Sequence, residues 1–418
     1  MKILTALGGA VVRECPAMRA AFFLLLLPAL PLVARAGNHA PVIGGGDAPY
    51  GKWPDVAAVN FSGSPECTGT LIAPTVVITA GHCVDPTLDS VLIGTDSLIN
   101  KDKGEIIRVM KMIEYPNSQR TMDISVLVLE KASTREPRKI ASGWASLDIK
   151  NGASVNIVGY GAVDRAGPVD FDHDEQYVNE LQEATTTITD ADCTINKDNG
   201  CVAAVMPRGE LGAGGMGIDT CPGDSGGPLY LPTDYGTFLA GVTSRSYDDA
   251  TYWCSEGGIY VRPDKVTDWI EEVTGVAIAR GPEPTVPKML SAVRGHAAEA
   301  QIDANDPKSE KHTYAITTQP KYAKAAIKDD GHLRVCMDPG VVVQDDSLAI
   351  TVTDKNDATR TLSYTVKLTI QDGEPPDDDC NPEAFDSDSG GCCDSGRSAG
   401  GSLPLGIGVL VLLRRRRR

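Results

Sequence analysis

The chain has 418 residues, which is long enough for two or three domains. Acidic residues outnumber basic ones by 56 to 39, and the formal charge of -17 argues against nucleic acid as a partner. None of the 11 cysteines forms a Cys-x-x-Cys pattern, so they indicate disulfides and an oxidising compartment rather than a metal site.

Residues 1–36 have the features of a secretory signal peptide. Arg13 and Arg19 precede an apolar run at residues 20–32, and Ala34-Arg35-Ala36 matches a small-x-small cleavage site. A transmembrane anchor is the alternative, although the apolar run is short for one crossing of a bilayer. We expect a secreted protein, with residues 37–41 as a propeptide.

Short, often β-branched apolar runs fill the chain from residue 56 to residue 129 and again from residue 155 to residue 261. Gly, Pro and Asn separate them, as in strands joined by turns. A helical period appears only at residues 264–273, where one face carries Val266, Trp269, Ile270 and Val273. The sequence therefore predicts an all-β region that ends in one helix.

Three motifs in this region carry candidate catalytic residues. His82 lies in Thr79-Ala80-Gly81-His82-Cys83, Asp123 begins an apolar run, and Ser225 lies in Cys221-Pro222-Gly223-Asp224-Ser225-Gly226-Gly227. A nucleophilic serine needs a base to take its proton, and that base needs an acid to orient it. The flanking glycines allow the backbone amides to converge on one point.

With these motifs, and with Val42-Ile43-Gly44-Gly45 upstream, the sequence resembles the trypsin/chymotrypsin family of serine proteases from Val42 to Gly275. The resemblance implies two six-stranded antiparallel barrels over residues 42–276, with the active site in the cleft between them. It implies that Ser225 is the nucleophile, that His82 is the base, and that Asp123 orients His82. Asp85 is the other acidic candidate beside His82, but it is only three residues away.

Further roles follow from the same resemblance. The amides of Gly223 and Ser225 would form the oxyanion hole, and Ser244 would hydrogen-bond Asp123. Asp219 would form the floor of the primary pocket and select Arg or Lys by charge, while Gly258 would keep that pocket open.

Two departures from the family pattern bear on the pocket. Ser246 replaces a Gly at the entrance and would narrow it, and Arg245 replaces the usual Trp. A cation at position 245 would either repel a basic substrate or pair with Asp219, and the sequence leaves both alternatives open.

The resemblance also implies an activation step. A free α-amino group on Val42 would fold inward and pair with Asp224, and a buried pair of this kind is unfavourable unless it is complete. Pro41 stands where trypsin-like activators cut after Arg or Lys. We therefore expect another protease, or trimming after signal removal, to expose Val42.

The family pattern also bears on cysteines and metals. It implies the disulfides Cys67–Cys83, Cys193–Cys201 and Cys221–Cys254. In the loop where the family binds Ca²⁺, Thr95 replaces the first acidic ligand although Glu105 is present. We predict no metal and no cofactor.

A Pro-rich linker at residues 277–287 separates the protease region from a second β-rich unit at residues 288–372. Four alternating runs predict a small antiparallel sandwich that weakly resembles immunoglobulin-like and cadherin-like modules. Asp303-Ala304-Asn305-Asp306 is interpreted as a turn, with a Ca²⁺ site as the alternative.

Residues 373–418 begin acidic and Gly/Ser-rich, as in a disordered linker, and end in a short apolar run followed by five arginines. This end resembles bacterial C-terminal sorting signals: Gly400-Gly401-Ser402 is similar to tails cut by rhomboid-like sortases, and Cys392-Cys393 to myxobacterial tails. A weakly inserting tail anchor is the alternative.

Taken together, these features predict a monomeric, surface-associated endopeptidase that acts on protein or peptide substrates outside a Gram-negative-type cell. The alternative is a binding or adhesion protein at the cell surface that uses an inactive protease fold.

Overall fold

The structure is a computed structural model, and it describes residues 42–118, 122–164, 176–203, 208–341, 345–374 and 380–384. The predicted signal peptide, the propeptide and the C-terminal sorting signal, including Cys392 and Cys393, lie outside these residues. Among the residues that are described, neither helix has the length and apolarity needed to cross a membrane.

The first barrel consists of six antiparallel strands that close on themselves in the order β2-β3-β4-β7-β6-β5. Its runs of Val, Ile and Leu alternate between the barrel interior and the outer face. A short strand β1 precedes it and pairs with the second barrel. The strands are β1 (Gly46–Asp47), β2 (Val56–Phe61), β3 (Ser64–Ala73), β4 (Val76–Thr79), β5 (Leu88–Ile93), β6 (Glu105–Glu114) and β7 (Ser125–Leu129).

The second barrel also has six strands, in the order β8-β11-β12-β15-β14-β13, and it closes because β8 pairs with both β11 and β13. A short helix α1 (Gly143–Ser146) precedes it, and β9 and β10 form a separate hairpin. The strands are β8 (Ser154–Gly159), β9 (Ala162–Asp164), β10 (Gln176–Tyr177), β11 (Gln182–Asp190), β12 (Glu210–Ala213), β13 (Pro228–Thr233), β14 (Gly236–Ser246) and β15 (Gly258–Val261).

The predicted C-terminal helix is present as α2 (Thr267–Thr274). Val266 and Ile270 are fully buried in the core that joins the two barrels, and Trp269 and Val273 pack against that core. These are the four residues that share one face in the sequence. The two six-stranded barrels and this helix confirm the predicted fold.

Residues 289–371 form two further sheets around one core, as the predicted sandwich requires. The four-stranded sheet has the order β16-β22-β21-β18, and the three-stranded sheet has the order β17-β20-β19. One detail differs from the antiparallel prediction, because β16 lies parallel to β22. The strands are β16 (Met289–Val293), β17 (Ala297–Gln301), β18 (His312–Thr318), β19 (Ala323–Ile327), β20 (His332–Met337), β21 (Asp345–Asp354) and β22 (Thr361–Gln371).

The sandwich is packed directly on the protease barrels. Trp144 of α1 is fully buried within the hydrophobic core of the sandwich, and its indole N–H donates to Ala304 O at 2.7 Å. Arg360 of the sandwich donates to Asp148 Oδ1 at 2.8 Å and to Trp144 O at 2.7 Å. The Pro-rich segment between the two parts is itself bound, since Pro282 O accepts from Trp144 N at 2.9 Å.

The segment Asp303-Ala304-Asn305-Asp306, for which the sequence left a turn or a Ca²⁺ site as alternatives, takes part in this contact. Asp306 Oδ1 accepts from Tyr235 OH at 3.0 Å and from Lys308 N at 2.9 Å. Asn305 Nδ2 donates to Thr285 Oγ1 at 2.7 Å. The segment is therefore held by protein hydrogen bonds, with Asp303 in an antiparallel bridge to Thr285, and the turn itself lies just after it, at residues 307–308.

A buried charged cluster connects the two barrels. Asp55, before β2, has no solvent exposure and accepts two hydrogen bonds from the Arg138 guanidinium, at 2.5 and 3.0 Å. Tyr230 of β13 donates its hydroxyl to the same carboxylate and stacks on Trp53 with 4.5 Å between ring centroids. One charge pair thus binds side chains from both barrels.

We expect Arg138→Met to destabilise the protein by about 3–5 kcal/mol, because it leaves Asp55 buried without its cation. Chemical denaturation measures the loss. Lys139→Met is the matched control, since Lys139 is exposed, and it should change stability by less than about 0.5 kcal/mol. Equal effects of the two substitutions would contradict the role given to the cluster.

Candidate active site

His82 and Asp123 are adjacent in the structure. His82 lies in a short 3-10 helix directly after β4, anchored by the Cys67–Cys83 disulfide. Asp123 lies two residues before β7. His82 Nδ1 is 2.8 Å from Asp123 Oδ2, and the backbone N–H of His82 donates to Asp123 Oδ1 at 2.9 Å. Two contacts with one carboxylate fix the orientation of the imidazole.

Ser244 completes the environment of Asp123 as predicted, because its hydroxyl donates to Asp123 Oδ2 at 2.7 Å. Burial acts to raise the pKa of Asp123, but hydrogen bonds from His82 and Ser244, together with the charge of His82, outweigh it and lower that pKa. Asp85 accepts from Thr87 N at 2.8 Å and from the hydroxyl of Thr87, so it is bound within its own turn. The geometry therefore favours Asp123 over Asp85.

Ser225 lies in a tight turn before β13. Gly223 and Gly226 have φ values of +93° and +80°, a region that side chains with a Cβ rarely adopt. A Cβ on Gly226 would also collide with Thr79 Oγ1 and Thr68 O. In the part of the chain that the structure describes, the amides of Gly223 and Ser225 donate to no protein acceptor. Both N–H groups are available for an oxyanion.

One cavity of about 400 Å³ is lined by His82, Ser225, Ser244 and Ser246 of the predicted site, whereas Asp123, Asp219, Gly223 and Gly258 are not part of its lining. Ser225 and His82 both line this cavity, as proton transfer between them requires. The lining residues are His82, Thr220, Cys221, Pro222, Ser225, Thr243, Ser244, Arg245, Ser246 and Trp253.

Asp219 is buried beside this cavity, next to Thr220. Its side chain is 2% exposed, and its carboxylate accepts from Thr220 N and Gly257 N at 2.8 Å each. Burial raises the pKa of Asp219 to about 7 in spite of these hydrogen bonds. A Cβ on Gly258 would stand 3.0 Å from Arg245 O and 3.6 Å from Asp219 Oδ1, so this glycine lies against both β14 and the carboxylate.

Arg245 does not pair with Asp219. Its guanidinium forms two hydrogen bonds with Glu210, at 2.9 and 3.0 Å, and Glu210 is only 3% exposed. The sequence left open whether Arg245 pairs with Asp219 or repels a basic substrate, and the structure excludes the pairing. Repulsion of a basic substrate is also weakened, since Glu210 neutralises the cation. Ser246 faces the entrance and donates its hydroxyl to Trp253 O at 2.6 Å.

Asp224, next to the nucleophile, has no solvent exposure. Its carboxylate accepts from Gly161 N at 2.8 Å and Cys221 N at 2.9 Å, and burial raises its pKa to about 7. No cation among the described side chains pairs with it. Val42 is 1% exposed with φ of +36°, which is strained for a β-branched residue.

The two raised pKa values predict a pH effect on the chain with Pro41 still attached. A carboxyl whose folded pKa is about 7, above the ordinary 3.8, contributes stability below pH 3.8 that is lost as pH rises through about 7. In a Ser225→Ala background, we compare the melting temperature of Asp224→Asn with that of its parent. We expect the difference to increase in favour of the variant as the pH rises from 3.8 to about 7. A constant difference across this range would contradict the prediction.

The three predicted disulfides, Cys67–Cys83, Cys193–Cys201 and Cys221–Cys254, are confirmed. A fourth, Cys336–Cys380, ties β20 to the segment after the sandwich and was not predicted. Two groups of side chains in the described ranges are close enough to share an ion, namely Cys67, His82 and Cys83, and Cys193, Cys201 and Glu210. The cysteines in both groups are disulfide-bonded and have no thiolate to offer.

The sequence did not indicate two residues that shape the site. Glu210 begins β12, and no local motif marks it as the partner of Arg245. Trp253 lines the cavity from the loop between β14 and β15, although it is 47% exposed. The only sequence signal for Glu210 was the unusual cation at position 245, which requires a counter-charge if it is partly buried.

A double β-barrel with a His–Asp pair and a glycine-flanked serine on one cavity is the arrangement of a serine peptidase. The model of the trypsin family matches residues 42–270, more than half of the chain. The chain therefore belongs to the trypsin family of serine proteases.

Individual relatives are more distant. The chain is 28% identical to Serine protease 56 of Mus musculus and of Homo sapiens over 63% of its length, and it spans 43% of each of those proteins. It is 28% identical to a trypsin of Saccharopolyspora erythraea over 55% of its length, which covers 97% of that protein. Among solved structures, mouse neuropsin, a serine protease, has 26% identity over 55% of this chain and 98% of its own, with a TM-score of 0.44.

Proposed function

We propose that this protein is a secreted serine endopeptidase that cleaves peptide bonds after Arg or Lys. The observation that carries the proposal is His82, which faces Asp123 Oδ2 at 2.8 Å through Nδ1 and shares a cavity with Ser225. Family membership supports protein or peptide substrates.

The mechanism is acyl transfer to water. Ser225 Oγ attacks the carbonyl carbon while His82 Nε2 takes the hydroxyl proton, and the carbonyl oxygen becomes an oxyanion facing the amides of Gly223 and Ser225. The tetrahedral intermediate then expels the amine, which receives the proton from His82. Water repeats the sequence on the acyl-enzyme and regenerates Ser225. Asp123 holds the ring and stabilises its charged form throughout.

The preference for basic residues is supported by Asp219. A carboxylate in a site shielded from water attracts a guanidinium or ammonium strongly, and such a cation would restore the ionised form that burial disfavours. The pairing of Arg245 with Glu210 removes the main objection that the sequence raised.

Activation is part of the proposal. Cleavage between Pro41 and Val42 would create an α-amino group on Val42, which is itself buried, and Asp224 is a buried carboxylate that lacks a cation in the described ranges. Their pairing would fix the loop that carries Ser225. The signal peptide and sorting tail expected from the sequence would place the mature enzyme at the outer surface of the cell.

The test is hydrolysis of peptide reporters that end in Arg, Lys, Phe or Ala by protein that begins at Val42, with Ser225→Ala alongside. Cleavage of the Arg and Lys reporters alone, absent in the variant, supports the full proposal. Cleavage of apolar reporters alone keeps the peptidase but contradicts the role of Asp219. No cleavage, from protein with a verified free Val42, would instead favour a binding protein on an inactive protease fold.

A further inference from the structure

A continuous chain of hydrogen bonds leads from a buried acid on β12 to the catalytic centre. Arg245 Nη1 donates to Glu210 Oε1 at 2.9 Å and to Ser244 Oγ at 3.2 Å. Ser244 Oγ in turn donates to Asp123 Oδ2 at 2.7 Å, and Asp123 contacts His82. The Ser244 hydroxyl is therefore the single group that links the Arg245 guanidinium to Asp123.

The direction of these bonds follows from the chemistry of the groups. A guanidinium has donors only, so Ser244 Oγ must accept from Arg245. The single hydroxyl proton of Ser244 is then left for Asp123. Without Arg245 that hydroxyl is free to rotate, and it would contact Asp123 for only part of the time. Donation from a cation also polarises the hydroxyl and strengthens its bond to the carboxylate.

We propose that Arg245 is a positioning residue of the catalytic triad: it directs the Ser244 proton onto Asp123, and Glu210 neutralises its charge so that His82 can still accept a proton. The proposal rests on the peptidase function proposed above and extends it to two residues outside the triad. Arg245 then orients Ser244 in addition to lining the cavity.

The remaining contacts of Arg245 favour this role over direct substrate binding. Nη2 donates to Glu210 Oε2 at 3.0 Å and to Gly200 O at 2.8 Å, within the loop closed by Cys193–Cys201. With the two bonds of Nη1, four of the five guanidinium N–H groups are engaged by protein. Among the residues that the structure describes, Nε–H alone has no protein acceptor and is left to contact a ligand.

The charged groups around Arg245 explain why Glu210 is needed. Glu210 faces it from β12 and Asp248 lies against Gly200, while Asp123 and His82 stand beyond Ser244. A guanidinium without Glu210 would oppose protonation of His82, which must carry a charge during catalysis. With Glu210 it keeps its hydrogen bonds while its net field on His82 is small.

The test is a double-mutant cycle on a reporter with a single amino acid before the scissile bond. We expect Arg245→Met to lower kcat about tenfold, which corresponds to the free energy of about one hydrogen bond to a charged group. KM should change by less than about twofold. In a Ser244→Ala background the same substitution should change kcat by less than about twofold, since its effect passes through the hydroxyl. Burst titration counts the competent sites in each variant.

A further variant guards against misfolding, because Arg245→Met leaves Glu210 buried without a cation. The double variant Arg245→Met/Glu210→Met removes both charges and is expected to fold. The same cycle with Ser244→Ala is therefore also measured with this double variant in place of Arg245→Met. Glu210→Gln should move the acid limb of the kcat/KM profile to lower pH, because the uncompensated cation disfavours the charged form of His82.

Three results would overturn the proposal: an equal loss of kcat in the Ser244→Ala background, a loss confined to KM, or an acid limb that Glu210→Gln does not move. Failure of the proposed function is a separate result. It would appear as absent activity in the parent enzyme, before any substitution at position 245 is compared.

Discussion

Replacement of Asp123 by asparagine should lower kcat about ten-thousandfold at neutral pH, the size of effect known for loss of the carboxylate in such triads. The structure gives the reason. The asparagine side chain would present one NH₂ group to His82 Nδ1 or to the hydroxyl of Ser244, each of which now meets Asp123 Oδ2. An amide facing Nδ1 stabilises the tautomer in which Nε2 carries the proton and cannot accept one from Ser225.

Steady-state kinetics on an Arg reporter measure this effect, and Asp85→Asn is the matched control. Asp85 is the acidic residue nearest to His82 in sequence, but it is bound to Thr87. We expect that control to keep kcat within about twofold of the parent, as for a surface change away from the site. A large loss with Asp85→Asn and a small one with Asp123→Asn would reverse the assignment.

Trp144→Ala should remove about 3–5 kcal/mol of stability, the usual loss when a large buried aromatic residue is truncated. Trp144 belongs to the protease part of the chain but is buried in the same hydrophobic cluster as the sandwich residues Ile302, Leu333 and Leu348. The substitution opens a cavity at the contact between the two parts. We expect the single thermal transition of the parent to separate into two.

Calorimetry of the parent and the variant tests this expectation. Trp253→Ala is the control, since Trp253 is 47% exposed, and the loss of stability should be below about 0.5 kcal/mol. If Trp144→Ala and Trp253→Ala melt alike, or if the parent already melts in two steps, the sandwich is an independent module on a linker.

Much of the protease fold could be predicted from sequence because its signals are local. Short runs of β-branched and other aliphatic residues mark strands, as in Val76–Thr79 and Ser125–Leu129, which are buried on both faces. The candidate triad was equally accessible, since His82, Asp123 and Ser225 each lie in a short motif of their own. Their closeness in space follows from the closed barrel and the turn that carries Ser225.

The features that sequence did not predict depend on contacts between distant residues. Arg245 and Glu210 lie 35 residues apart on different strands, and only the strand order of the second barrel shows that they are partners. Cys336 and Cys380 are 44 residues apart, without a family pattern to pair them. Trp144 packs into the core of the sandwich rather than that of the protease, and hydrophobicity alone does not show which core receives a side chain.

The most direct test of the account is covalent labelling of the protein that begins at Val42 with a fluorophosphonate, followed by mass spectrometry of the adduct. The reagent reacts with a serine hydroxyl that a neighbouring base has activated. We predict one equivalent of label on Ser225, absent in Ser225→Ala and strongly reduced in Asp123→Asn. Label on a different residue, or none on protein with a free Val42 amino group, would contradict the assignment of His82, Asp123 and Ser225 as a working triad.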